Sequence, residues 1–267
     1  MDIQLFILCA LTFVIHLIGT LAYAVRIAGV RTRRIAVCFA LFNILVLVSR
    51  TSNSFQGPFL AKRIEENIVQ GVSQSLLSDF RWLLLSATLA TLIGAFLIPT
   101  FQRIFSLAVR HFQTHRSLPR LLMHGFFKGG IGYVRESVRL PSSENVTSLR
   151  RSRSLSIWVL VSNTLAVALW TIGVFAALYA GALNPELRVT ASTLSSVING
   201  VATILMFAFI DPHLSVMTDD VIEGQVTESS FRQAIVWLVG SRLAGTVLGQ
   251  ALLVPSAMAI AAIAAAM

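Results

Sequence analysis

The chain has 267 residues, of which 55% are hydrophobic and 12% charged, and its mean hydropathy is +0.77. A soluble domain needs more polar surface than that, so the apolar excess must face lipid. The net charge of +9 and the pI near 10.9 would also suit a nucleic-acid binder, but the basic residues sit in loops between apolar runs, which argues for membrane orientation and against nucleic acid.

A membrane-crossing helix needs about 20 apolar residues to span roughly 30 Å of hydrocarbon. The first candidate is Ile3–Val25. Asp2 stands where a signal peptide would carry Lys or Arg, and the apolar run is too long for a cleaved signal, so a retained span is expected. His16 lies inside it and reads either as a proton-relay or substrate contact, or as a histidine bonded to a neighbouring helix. The loop that follows carries Arg26, Arg31, Arg33 and Arg34.

The second span is Ile35–Phe55, with Asn43 in its first half. Arg50 sits about 15 residues into it, in the run Ser49-Arg-Thr-Ser-Asn53-Ser54. An unpaired arginine in hydrocarbon costs at least about 2.5 kcal/mol, so Arg50 is expected to face a cavity or a partner. Phe80–Pro99 forms the third span. Cys9 and Cys38 both fall in apolar runs and read as small buried hydrophobes, not as a disulfide or metal pair.

The segment 103–153 carries ten basic residues, among them Arg103, Arg110, Arg116, Arg120, Lys128, Arg135 and Arg139. Phe126, Phe127, Ile131, Tyr133 and Val134 interleave with Lys128 and Arg135, as in an amphipathic interfacial helix. A solvated linker touching anionic membrane lipids is the alternative. By the positive-inside rule this segment and Arg26–Arg34 are cytoplasmic, which puts both termini outside.

The remaining spans are Leu155–Ala180, Val189–Ile210 and Ala234–Ile263, the last with an expected stop near Pro255. Arg242 lies about a third of the way along the sixth span. Asn163, Asn199 and Gln250 are further polar residues inside spans, where helix–helix hydrogen bonds are the plainer account. Small residues at four-residue spacing, Gly245–Gly249 and Gly240–Ala244, serve internal packing or a dimer contact equally well. The loop 211–231 is acidic; Asp219, Asp220 and Glu223 are weak candidates for a divalent metal, and helix N-terminal support is the commoner role.

Compared with itself at an offset of 154, the chain repeats positional residues: Ile18-Gly19 on Ile172-Gly173, Arg34 on Arg188, Pro58-Phe-Leu60 on Pro212-His-Leu214. With small gaps Phe80-Arg81 meets Phe231-Arg232, Ser86 meets Ser241, Gly94 meets Gly249 and Pro99 meets Pro255. The expected fold is therefore all-α, about six transmembrane helices in two inverted three-helix repeats: residues 1–102, a basic cytoplasmic linker 103–153, and 154–267. That architecture binds substrate between the repeats and exposes it alternately to the two sides. Arg50 and Arg242 have no counterpart in the other half, as if added for a task. Arginine presents a forked donor array suited to a pyrophosphate.

The runs from His16-Leu-Ile-Gly-Thr-Leu-Ala-Tyr to Arg34, and from Phe42-Asn-Ile-Leu to Pro58, resemble the Amj family. The likeness continues through Asp211-Pro-His-Leu214 and Asp219-Asp220, so it covers most of the chain. It implies a lipid II flippase of the bacterial cell membrane, the alternate to MurJ, which moves undecaprenyl-pyrophosphoryl-MurNAc-pentapeptide-GlcNAc to the outer leaflet for peptidoglycan synthesis. It implies a transporter and no cofactor. The tail can stay in the bilayer, while the headgroup needs a polar, cationic passage. Arg26, Arg31, Arg33 and Arg34 are the expected collectors at the inner face; Arg50, Arg242, His16, Asn43 and Asn53 are the expected contacts during crossing. Six helices are narrow for such a headgroup, so a homodimer is preferred over a groove open to lipid. A membrane enzyme on polyprenyl phosphates, using Asp219, Asp220 and Glu223, and a small-anion carrier are the rival readings. No nucleotide motif is present, so ATP hydrolysis by this chain is not expected; the sequence does not identify the energy source, for which membrane potential and a proton gradient are the open alternatives.

Overall fold

In the computed structural model, which describes residues 2–69, 76–115, 130–141 and 155–267, all regular elements are helical. Among the described residues, six helical stretches are long and apolar enough to cross a membrane. They are α1 (Ile3–Thr32), α2 (Ile35–Val69), α3 (Leu76–His115), α5 (Ile157–Leu183), a composite fifth crossing, and α9 (Glu228–Ala266). A short helix α4 (Gly130–Ser137) lies between α3 and α5. The composite crossing joins a 3₁₀ turn at Pro185–Leu187 to α6 (Arg188–Thr193), α7 (Ser195–Leu205), a π turn at Met206–Ile210, and α8 (Asp211–Glu223).

The helices overrun the apolar windows. α2 has 35 residues, about 52 Å at 1.5 Å per residue. Its extension carries Lys62 and Glu66, a charged pair one turn apart at 3.7 Å. Pro58, Pro99 and Pro255 each sit inside a helix, and α9 does not stop at Pro255 but continues through its alanine-rich tail. Helix α4 covers the second half of the expected interfacial helix. Phe126, Phe127 and Lys128, with Arg116 and Arg120, lie outside the described residues.

Charged side chains fasten both ends of the bundle. At one end Asp2 caps α1 by accepting the Leu5 N–H at 2.8 Å. Arg63 of α2 donates to Asp2 at 2.7 Å and to Asp79 of α3 at 2.7 Å, tying three helices together. The Leu5 N–H and then the Arg63 guanidinium hold the Asp2 carboxyl below its ordinary range. Arg188 of α6 pairs with Glu65 of α2 at 3.5 Å. At the opposite, basic end Arg26 pairs with Asp211 at 3.1 Å and Arg31 with Glu228 at 2.7 Å.

Packing is organised in two similar groups. α1 packs most on α3 and next on α2; α5 packs most on α9 and next on α7. The groups meet chiefly where α3 crosses α9. One apolar cluster, at the Asp2 end, joins Leu5, Leu8, Phe80, Ile172, Leu253 and their neighbours. A second, at the basic end, joins Tyr23, Ile27, Val159, Phe231, Val239 and theirs. Phe80 and Phe231 are both fully buried.

Gly245 and Gly249 pack on α5, while a side chain at Gly240 would meet nothing within 4 Å. A Cβ on Gly245 would lie 2.6 Å from the Thr164 carbonyl oxygen, an atom of the backbone that cannot yield without moving the helix. Gly245→Ala is expected to destabilise by about 1–3 kcal/mol through overpacking. Thermal unfolding in detergent measures this, and Gly240→Ala should show no such loss.

Candidate functional site

α1, α3, α5 and α9 each pass from one apolar cluster to the other and carry buried polar groups near the middle of the bundle, Thr91 being that of α3. His16 and Thr20 of α1, Asn163 of α5 and Thr246 of α9 are all nearly inaccessible. Arg242 of α9 enters this layer against Gly19, where the missing side chain leaves room for its guanidinium. Its Nε donates to Thr20 Oγ1 at 3.2 Å, and its charge lies close to the Tyr23 side chain. Tyr23 also lies close to Asn163, whose Nδ2 donates to the Leu238 carbonyl at 3.1 Å and to Ser241 Oγ at 2.7 Å. His16 Nδ1 is buried without a hydrogen-bond partner among the described residues. Among the described residues no carboxylate pairs with Arg242. Its charge is therefore held by neutral groups and remains available to an anion.

A cleft of about 410 Å³ opens at the basic end. α1 lines it with Ile27 and Arg31, α3 with Leu92 to Arg103, the chain after α4 with Arg139, Leu140 and Pro141, and α9 with Arg232 to Val239. Its mouth is cationic and its depth apolar. Thr100 Oγ1 donates to the Arg139 carbonyl and accepts its N–H, both at 3.1 Å, which fixes that wall to α3. Arg242 lies one helical turn deeper along α9 than Val239, the deepest α9 residue of the cleft.

Toward the Asp2 end the same α3–α9 crossing is shut. Arg81 Nη1 donates to the Gln250 backbone carbonyl and to Gln250 Oε1, and Gln250 Nε2 donates back to the Arg81 carbonyl at 3.2 Å. Arg81 and Arg232 are the matched pair of the self-comparison. The residue matched with Gln250 is Ala95, and Ala95 lines the open cleft beside Arg232.

The structure thus brings His16 and Arg242 together and places Arg31 in the cleft. It does not bring Arg50, Asn43 or Asn53 to them: all three are exposed on the outer side of α2. Arg26 is engaged by Asp211 and lies 5.3 Å over the Phe39 ring. Arg33 ends α1 in a left-handed conformation (φ 52°), and both it and Arg34 are exposed. Asn199 packs on Gly173. Asp219, Asp220 and Glu223 are not gathered into a metal-holding group among the described residues. Sequence reasoning singled out neither Gln102 nor Tyr23, and it counted Arg103 and Arg139 only as linker charge.

The profile of the Amj family, described as Alternate to MurJ, matches residues 11–264. The lipid II flippase Amj of Bacillus subtilis (strain 168) is 40% identical over 261 residues, covering 96% of this chain and 95% of that protein. No solved structure matches. On the match across almost its full length, the chain belongs to the Amj family.

Proposed function

We propose that the chain is a lipid II flippase of the bacterial cell membrane, moving the lipid-linked peptidoglycan precursor from the inner to the outer leaflet. The observation that carries this reading is its 40% identity, over nearly the whole chain, to a protein named lipid II flippase Amj. The chemistry supports it: a cationic cleft, then an arginine at mid-depth held only by neutral partners, is what a diphosphate needs and hydrocarbon lacks.

Alternating access by two inverted repeats is the proposed mechanism. Paired contacts support it. Ser86 Oγ donates to the Cys9 carbonyl, and Asn163, 154 residues after Cys9, donates to Ser241, the match of Ser86. Gly94 packs on Leu17 and Thr20, and its match Gly249 packs on Ile172 and Ala168. Arg81 is closed on Gln250 while Arg232 stands open opposite Ala95, so exchanging the two halves' conformations would close one end and open the other. Positive-inside orientation turns the open cleft toward the cytoplasm and both termini outward. The exposed polar side of α2, with Asn43, Arg50, Asn53 and Ser54, supports a second copy of the chain covering it in a homodimer.

In cells depleted of MurJ, expressing this chain should make lipid II cleavable by an enzyme added outside. Lipid II that stays protected would remove the flippase reading.

A further inference from the structure

We infer that the cleft between α1, α3 and α9 is a binding site for the diphosphate headgroup of a membrane lipid, held by Arg31, Arg103, Arg139 and Arg232 with Gln102 beside them. The flippase reading supplies only the identity of the lipid; the site stands on its own geometry.

Four guanidinium groups from four separate stretches of chain line one cavity. Glu228 is the one carboxylate in ion-pairing range of any of them among the described residues, at 2.7 Å from Arg31 and 3.9 Å from Arg232. A surplus of positive charge is left at the mouth. A phosphodiester lipid offers one negative charge; a diphosphate offers two or more, with oxygens spaced for several forked donors. Arginines at helix ends commonly reach for the membrane surface with no ligand in view. Two further observations set this cluster apart. Gln102 is 9% exposed, lines the cavity, and its Oε1 is buried with no hydrogen-bond partner among the described residues. Arg232 Nε is likewise buried without a hydrogen-bond partner, Glu228 being too distant for one. Both await polar groups from a ligand: phosphate oxygens for Arg232, and a hydroxyl or amide N–H of the group next to the diphosphate for Gln102.

The other wall is apolar and reaches the surface facing the bilayer. Leu92, Phe96 and Leu140 line the cleft and are themselves exposed. A lipid can therefore present its headgroup to the arginines while its chain stays in hydrocarbon. Thr100 positions Arg139 through the two backbone bonds, so the cationic wall is fixed in place before a ligand arrives.

The test is equilibrium binding to the purified full-length chain in phosphatidylcholine nanodiscs, with geranylgeranyl diphosphate, inorganic pyrophosphate and phosphatidylglycerol as probes. Geranylgeranyl diphosphate should bind saturably and most tightly. Arg139→Gln and Arg232→Gln should each weaken it by about tenfold or more, as expected for a charge-assisted contact. Lys62→Gln, an equal charge loss at the far end of α2, should leave it unchanged, and Arg139→Lys should retain part of the binding. Thermal midpoints equal to the unsubstituted chain identify folded variants. Unaltered binding in folded Arg139→Gln and Arg232→Gln overturns the site. Pyrophosphate binding as tightly as the prenyl diphosphate overturns the lipid, and phosphatidylglycerol binding as tightly overturns the diphosphate. Intact binding without outer-leaflet delivery of lipid II would remove the flippase reading and keep the site; delivery unaffected by both substitutions would remove the site's role and keep the flippase.

Discussion

Joining residue 81 to residue 250 should block most translocation. In a chain with Cys9→Ala and Cys38→Ala, the pair Arg81→Cys and Gln250→Cys bridged by a short bis-methanethiosulfonate should lose delivery of lipid II to the outer leaflet by about tenfold or more, because the proposed alternating-access cycle requires this crossing to open. Reductant should restore it. The expectation follows from the three hydrogen bonds between Arg81 and Gln250, which close the α3–α9 crossing at the end opposite the cleft. A transporter that must open there cannot do so with the two helices tied. The unbridged double variant should still transport, since it loses a latch and no part of the cleft. If bridging leaves delivery unchanged, the crossing does not open and the path lies elsewhere.

Arg242→Gln should cost as much by a different route. A buried charge-assisted hydrogen bond is worth about 1.5–3 kcal/mol, so removing the guanidinium should slow translocation by roughly 10- to 100-fold. Gln keeps a donor for Thr20, so the polar layer should stay folded. Gly19→Ala provides the independent check. Its Cβ would fall on the end of the Arg242 side chain, which is flexible and can swing away. The fold should therefore hold, because alanine favours helix over glycine by about 0.5–1 kcal/mol. Transport should fall all the same, because the displaced guanidinium no longer faces its place in the layer. Loss of transport with an unchanged melting temperature, in both variants, separates this role from a structural one.

The six crossings were legible because hydropathy marks them directly, and family membership because long runs such as His16–Arg34 are specific. Helix ends were not. Apolar windows stop where charge begins, but Lys62 and Glu66 continue α2 as a surface-type helix. Arg50 and Arg242 looked alike in sequence, each an arginine within an apolar run. What separates them is the packing of neighbours: α2 is covered mainly on its α1 side, so Arg50 is exposed, while α9 presents Arg242 to Gly19. Arg81 and Arg232 were visible as a matched pair, yet repetition alone reads as scaffold. Only the contrast between a closed Arg81 and an open Arg232 gives the match a mechanical meaning. Arg139 was counted with the linker because nothing local predicts that Thr100, 39 residues earlier, would hold it to α3.

The most direct measurement is lipid II transbilayer movement in vesicles containing only this purified chain. Lipid II is placed in both leaflets, and an enzyme that cleaves it is added outside. With the chain present, cleavage should proceed beyond the outer-leaflet share toward completion, and Arg242→Gln should slow that second phase. Cleavage that stops at the outer-leaflet share, as in protein-free vesicles, would contradict the account.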